Sequence, residues 1–477
     1  MQTAQADSRI AVERRKADAE EAARIDRSLD ACWKEGVAAQ VMFVILDYYL
    51  IPYALLLGAS TREIGLLVSV PHLLGAASQF LAVRAVRWAG DRRRFLVLCC
   101  AVQTAALLPL ALLGLYAFPG RMGVMLSAAS VFRVLANLLG PAWGSLISDY
   151  LPETRRGQYL GWRSQIVGLS GVAGLLLSGA FLAVTGRRLE TAAFAALFLA
   201  AAAFRGVSTC FMARLCDLPM HRSKDSEFTF WMFIRRVRES NFVRFALYVA
   251  GITFATQVAA PYTSVYMLRD LGFGYAGYTA VQLSSMVAGL ALFPAWGRHA
   301  DLVGNAKILK FTSFLIPLVP LFWAFARNPL QLVLVEFFGG IVWGGFNLCA
   351  TNFVYDAVTP SKRVRCLGYF NLITSVSLFA GASLGGFLAE RLPAAPGGSR
   401  LVPLFLLSAA LRLAADLFLS RGFREVRSGR RKVKSARLFL SVVGARPLTG
   451  QNVEWEIFPT LKKFVPRGSK KPAEASA

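Results

Sequence analysis

Asp149-Tyr-Leu-Pro-Glu-Thr-Arg155-Arg156-Gly-Gln-Tyr-Leu160-Gly161-Trp162 aligns without gaps on Asp356-Ala-Val-Thr-Pro-Ser-Lys362-Arg363-Val-Arg-Cys-Leu367-Gly368-Tyr369, 207 residues further on. The same offset carries Ala173-Gly174 onto Ala380-Gly381, Gly179 onto Gly386 and Arg205 onto Arg412. The match thus runs through two hydrophobic segments and their loop, and one half of the chain is built like the other. A repeat this long excludes the short-period solenoids and points to two similar bundles side by side, which in a membrane is a transporter plan.

Composition supplies the membrane. With 55% hydrophobic residues and 12% aromatics over 477 residues, the chain is more apolar than a soluble globule, where roughly 45–50% is usual. The formal charge of +25 sits between apolar runs and in two tails, so it reads as a topology determinant and not as a nucleic-acid footprint. The seven cysteines have no metal-ligand or disulfide spacing, and the three histidines (His72, His221, His299) are scattered. With no HExxH, P-loop, CxxC or GxSxG arrangement, nothing in the sequence points to an enzyme, a metal or a cofactor.

A span requires about 20 mostly apolar residues. Twelve such runs are bounded by charges, at about 36–57, 62–83, 95–117, 122–148, 159–184, 191–213, 243–267, 275–296, 307–326, 330–355, 367–390 and 401–420. The expected fold is all-α and integral to the membrane, with twelve transmembrane helices in two pseudo-symmetric six-helix bundles. The expected organisation is an N-terminal tail (1–35), a first bundle (36–214), a linker (215–240), a second bundle (241–420) and a basic C-terminal tail (421–477). Ile25, Leu29 and Trp33 share one helical face of the first tail, which fits a short helix on the membrane surface or a solvated one. The linker holds an aromatic cluster at Phe228-Phe230-Trp231-Phe233, and the last tail anchors the final span with its arginines and lysines.

Basic residues assign sides, because Lys and Arg are retained in the cytoplasm. One set of loops carries Arg84, Arg87, Arg92, Arg93, Arg94, Arg155, Arg156, Arg163, the linker cations, Arg298, Lys307, Lys310, Lys362, Arg363 and Arg365. The other set is sparser, with Arg62, Arg121, Arg187, Arg188, Arg269, Arg327, Arg391 and Arg400. Both termini are expected in the cytoplasm and the protein in the cell membrane. Trp88, Trp162 and Trp296 read as interfacial anchors.

The loop after the eighth span, Gly297-Arg298-His299-Ala300-Asp301-Leu302-Val303-Gly304-Asn305-Ala306-Lys307, resembles the Gly-x-x-x-Asp-x-x-Gly-x-x-basic loop of the major facilitator superfamily. Its first-half counterpart, Arg87-Trp88-Ala89-Gly90-Asp91-Arg92-Arg93-Arg94, keeps the acid and the basic cluster but lacks both glycines at their usual places. With twelve spans and the repeat, the resemblance covers about residues 36–420. It implies that Asp91, Arg92, Gly297, Arg298, Asp301, Gly304 and Lys307 form a cytoplasmic gate. The repeated loops, with Asp149, Arg155 and Arg156 in one half and Asp356, Lys362 and Arg363 in the other, read as latches of the same gate. Arg205 and Arg412, deep in spans 6 and 12, read as structural repeat mates, with Asp416 as an i,i+4 partner of Arg412.

Charges inside a bilayer are expensive, at roughly 2.5–3.5 kcal/mol on insertion scales, and face a cavity or a partner. Asp47, Arg133 and Glu336 have no charged mate in the other half. The resemblance implies that spans 1, 4, 7 and 10 line the central cavity, and these charges fall on three of them. Helical spacing adds Asn137 to the Arg133 stripe, Trp343 and Asn347 to the Glu336 stripe, and Gln257 in span 7. Two readings fit: a site in which Asp47 and Glu336 carry a proton or meet a cationic group while Arg133 pairs with Asp47 or with an anionic group of the solute, or a permanent structural Asp47–Arg133 pair. Pro52 and Pro261, at the ends of spans 1 and 7, are candidate bending points. Span 5 is glycine-rich (Gly168, Gly171, Gly174, Gly179) and lacks the Gly-Pro pair of the drug-proton antiporters.

The expected function is a monomeric secondary carrier that moves a small solute by alternating access, coupled to a proton or another ion. The alternative in another class is a non-transporting membrane protein on the same fold, such as a lipid-handling, receptor or assembly factor.

Overall fold

The computed structural model describes residues 2–116, 119–151, 153–185, 189–217, 240–395 and 399–426. Among these residues there is no β-strand, and twelve helices are long and apolar enough to cross a membrane. In chain order, spans 1 to 6 are Glu20–Leu56, Thr61–Leu81, Arg92–Leu112, Arg121–Tyr150, Gln158–Thr185 and Glu190–Met212. Spans 7 to 12 are Asn241–Asp270, Tyr275–Val303, Asn305–Phe325, Pro329–Ala357, Cys366–Arg391 and Leu401–Gly422. Charge-bounded apolar runs therefore found every span. The linker aromatics and the basic C-terminal tail lie outside the described residues.

The packing is symmetric between the halves. Span 1 packs on spans 5 and 6, span 2 on span 4, and span 3 on spans 4 and 6. Each contact has its counterpart in the second half, where span 7 packs on 11 and 12, span 8 on 10, and span 9 on 10 and 12. The halves are joined by spans 2 and 11 and by spans 5 and 8, again a symmetric pair. The duplication read from one loop thus extends to the whole helix-packing scheme.

Span ends follow local capping chemistry. Ser60 and Asn328 form capping boxes with Glu63 and Gln331 at the starts of spans 2 and 10, which satisfies backbone N–H groups that have no intrahelical partner. Asp91 caps span 3, its carboxylate accepting from the Arg94 amide. Span 7 is irregular: its α-helix runs Asn241–Gln257 and gives way to a 3₁₀ turn at Ala260–Tyr262 and a π-helical turn at Tyr266–Asp270. Pro261 sits at that break, since a proline lacks the N–H that would continue the helix. Its repeat counterpart Pro52 lies inside an uninterrupted helix, so only one of the two candidate bending points is used.

The N-terminal segment departs from a surface helix. Gln2–Leu56 is one continuous helix, and the Ile25–Leu29 face packs on the first bundle, against a cluster containing Cys32, Phe95, Leu96, Tyr150, Met212 and Leu215. Trp33 stacks edge-on against Trp162 at 6.1 Å, and the Tyr159 hydroxyl donates to the Leu29 carbonyl at 2.7 Å. An apolar stripe fixes which face of a helix is buried but not whether lipid or protein buries it. Trp296 is a second departure: it is fully buried and its Nε1 donates to the Ile341 carbonyl at 2.9 Å, so it packs span 8 on span 10 and anchors nothing at the interface. Trp88, by contrast, is 83% exposed.

Candidate functional site

Asp47 and Arg133 meet. Arg133 Nη2 lies 2.6 Å from Asp47 Oδ1, with the two side chains 22% and 43% exposed. The pair links span 1 to span 4 at mid-depth. His72 of span 2 feels the charges of both residues, and its Nδ1 bonds the Val68 carbonyl at 2.7 Å. Three helices of the first half thus bring an acid, a base and an imidazole together.

A chain of amides extends from this group. Asn137, one turn below Arg133, donates to the Arg133 carbonyl at 3.0 Å. Gln79 of span 2 donates to Asn137 at 2.8 Å, and Asn371 of span 11 donates to Gln79 at 3.1 Å. The chain therefore crosses from one half to the other. It depends on Gly75, where a Cβ would press on the Asn137 amide at 2.6 Å and on the Arg133 carbonyl at 3.1 Å. A side chain there would hold spans 2 and 4 apart.

The face of span 4 that carries Arg133 and Asn137 continues through Gly140 and Gly144, where nothing lies within 4 Å of a Cβ position. At the end opposite the basic loops, the halves are in contact. Tyr278 donates to the Tyr48 carbonyl at 2.6 Å, Tyr49 shares a 2.9 Å hydrogen bond with Thr279, and the Arg62 amide donates to Glu390 at 3.3 Å. Between spans 5 and 8, Gly179, Gly171 and Gly168 sit against Thr279, Met286 and Leu290, which is the close approach that small residues permit. Spans 2 and 11 also meet nearer the basic end, where Phe80 packs on Tyr369 at 5.9 Å beside the Gln79–Asn371 bond.

Glu336 is not part of this group. Its carboxylate accepts from Trp323 Nε1 of span 9 at 2.8 Å, inside its own bundle. The Glu336 stripe of span 10 begins by packing on span 8: Gly340 lies against the Ser285 backbone and Gly344 against Gly289. Only its far end is open, where Asn347 is exposed and Trp343 half-buried. Gln257 is half-buried in span 7, its Cβ 3.1 Å from the Cβ position of Gly381. Glu336, Trp343 and Asn347 share one stripe of span 10, and span 8 occupies part of that face.

The latch residues join within each half. Arg92, buried at the start of span 3, bonds Asp149 at 2.6 Å and Asp217 at 3.1 Å, and donates to Ser145 at 2.9 Å. Its own amide donates to Asp217 at 2.9 Å. In the second half Asn305, at the start of span 9, donates to Asp356 at 2.8 Å, and the adjacent Ala306 amide donates to Glu425 at 2.8 Å. An acid after the sixth span of each half thus caps the third, and an acid at the end of the fourth takes its side chain. Gly304 turns here with φ +92°, and a Cβ would strike Glu425. Asp301 and Lys307 flank that turn and Arg298 is exposed one helical turn before it, while Gly297 faces Leu348 of span 10. The side chains of Arg155, Arg156, Lys362 and Arg363 lie outside the described residues.

Glu35 is a charge that sequence reading missed. It is buried in span 1, with its carboxylate 3.1 Å from Arg163 of span 5 and 3.8 Å from Arg205 of span 6, and it accepts from Ser208 at 3.2 Å. Arg205 also donates to Gln103 of span 3. Arg412, its repeat mate, has no carboxylate within 4 Å among the described residues; it donates to Ser408 and to the Ile316 and Thr256 carbonyls at 3.1, 3.4 and 3.5 Å. The expected Arg412–Asp416 pair does not form. Asp416 instead accepts from Ser313 of span 9 at 2.5 Å.

Comparison with known proteins agrees with this architecture. The sequence profile of the Major Facilitator Superfamily matches residues 37–316 and 245–461. The chain is 26% identical over 156 residues to the class B tetracycline resistance protein of Escherichia coli, which is 32% of this chain and 37% of that protein. It is 28% identical over 159 residues to the quinolone resistance protein NorA of Staphylococcus aureus, again 32% of this chain and 39% of that protein. These matches span under half of either relative. Among solved structures, a D-xylose–proton symporter superposes with a TM-score of 0.64 at 11% identity, covering 86% of this chain and 99% of its own. The nucleoside transporter NupG gives 0.60 at 12% identity, covering 84% and 99%. Twelve spans in two halves with matching contacts, and a profile match that reaches across both, place the chain in the major facilitator superfamily.

Proposed function

We propose that the protein is a proton-coupled secondary transporter that moves a small organic solute by alternating access, with the basic face and both termini in the cytoplasm. The observation that carries this reading is the part-exposed Asp47–Arg133 pair at mid-depth, tied through Asn137 and Gln79 to Asn371 of the other half. A carboxylate and a guanidinium in contact attract each other and hold spans 1 and 4 together. Protonation of Asp47 removes the attraction and frees Arg133 for an anionic group of the solute or for another partner. Because the amide chain starts at the Arg133 carbonyl and ends in the second half, a shift of span 4 is transmitted to span 11, and the halves can rock about the site. The basic loops support the assignment of sides through the positive-inside rule.

The printed names of the relatives suggest tetracycline and a quinolone as first probes. The purified full chain is reconstituted in proteoliposomes and given these probes within a panel of labelled metabolites, with and without an imposed pH gradient of either sign. Protein-dependent flux of at least one solute that rises with one sign of gradient supports the reading. Flux that ignores the gradient removes the proton. If no solute moves, and a cysteine at Gly144 has the same accessibility from the basic face in every condition, the chain is a non-transporting member of the fold.

A further inference from the structure

A second polar cavity lies far from the Asp47–Arg133 group, where the N-terminal helix runs beside the basic-face ends of spans 3 and 6. It measures about 530 Å³ and is lined by Arg24, Arg27, Arg93 and Arg214 over a floor that includes Phe211 and Leu215. The floor is held in place. The buried Ser28 hydroxyl accepts from the Cys216 amide at 3.0 Å, and the Tyr150 hydroxyl donates to the Cys216 carbonyl, so the chain leaving span 6 is tied to the N-terminal helix and to span 4. Asp30 is the one carboxylate in the described lining, and it is committed to Lys34 at 2.6 Å and to Trp33 at 3.1 Å. Arg92 and Asp217 next door neutralise each other, whereas none of the four lining arginines has a described carboxylate within 4 Å.

Two features say what fits. Guanidinium groups present paired N–H donors that match phosphate oxygens. In addition, Arg93 is the second residue of span 3 and Arg214 lies two residues past span 6, which puts the cavity at the level where headgroups lie. Below it, spans 3 and 6 expose Leu98, Val102, Phe204 and Val207 by 40–48%, an apolar surface that leads from the membrane up to the arginines. We infer that this cavity binds the phosphate headgroup of an anionic phospholipid, whose acyl chains lie along spans 3 and 6. A free phosphate would use the arginines but would leave the apolar path without a purpose. A bound lipid would join the N-terminal helix to the bundle and stabilise the folded state in proportion to its occupancy.

The test is a melting-temperature titration of the detergent-purified full chain with phosphatidylglycerol, phosphatidylcholine or inorganic phosphate. Phosphatidylglycerol should raise the melting temperature and the other two should leave it unchanged. Arg93→Gln/Arg214→Gln should move the phosphatidylglycerol midpoint about tenfold or more to higher concentration, because each surface cation contributes substantially to acidic-lipid binding. Arg84→Gln, an exposed cation on the same face outside the cavity, should titrate as the unmodified chain does. If the double variant does not fold, Arg27→Gln carries the same expectation at a smaller shift. The inference is overturned if the cavity variants titrate like the unmodified chain, if Arg84→Gln weakens binding equally, if phosphatidylcholine protects as well, or if inorganic phosphate does so.

Discussion

Arg205 and Arg412 occupy the same place in the two halves and live in different electrostatic surroundings. In the first half Glu35 sits between Arg163 and Arg205, and Ser208 and Gln103 complete the group. In the second half Arg412 bonds, among the described residues, a hydroxyl and two carbonyls, Glu336 acts on it through space without contact, and Asp416 turns away to Ser313. Duplication has thus preserved the position of the cation and the helix contacts around it, while an acid in direct contact with it is seen, among the described residues, in the first half. The mid-membrane ion pair and the imidazole also lie in the first half. The repeat specifies the scaffold, and these charged contacts differ between its halves.

This asymmetry can be broken by mutation. Glu35→Gln leaves the buried Arg205 and the part-buried Arg163 without their carboxylate, a change that costs about 3–5 kcal/mol when a buried pair loses one partner; it should lower the melting temperature of the purified protein more than any other change described here. Gly340→Ala drives a methyl group into the Ser285 backbone, which cannot rotate away, and overpacking of this kind destabilises by about 1–3 kcal/mol. Gly144→Ala, on the open face of span 4, meets nothing and should be neutral or gain up to about 1 kcal/mol from helix propensity. Arg412→Met removes a buried cation that has no carboxylate within 4 Å among the described residues, and it should leave stability within about 1 kcal/mol or raise it. If Arg412→Met proves as damaging as Glu35→Gln, the two halves are electrostatically alike after all, and the comparison fails.

Much of this was legible in the residues. Charge-bounded apolar runs gave the spans because lipid leaves a helix no alternative, and the lack of a repeat mate singled out Asp47 and Arg133, which meet. Glu35 escaped because it belongs to a stretch that read as a polar tail, although the helix of span 1 begins well before the apolar run. His72 escaped because its partners are 25 and 61 residues away in the sequence. Gln79 and Asn371 are neutral side chains in apolar runs, and only tertiary packing shows that they meet. Glu336 illustrates the converse: its stripe was correct, but a period of 3.6 residues names a face and not the helix that covers it.

The central claim is that the proton-linked switch sits in the first half, at Asp47. The direct measurement compares Asp47→Asn with Glu336→Gln in proteoliposomes, reading pH-gradient-driven accumulation of a transported solute beside its gradient-free exchange. Asp47→Asn should cut driven accumulation tenfold or more, about 1.4 kcal/mol of coupling, while exchange continues; Glu336→Gln should keep the ratio of the two within about threefold. The account is contradicted if Asp47→Asn still accumulates solute with the unmodified pH dependence, or if Glu336→Gln is the variant that loses it.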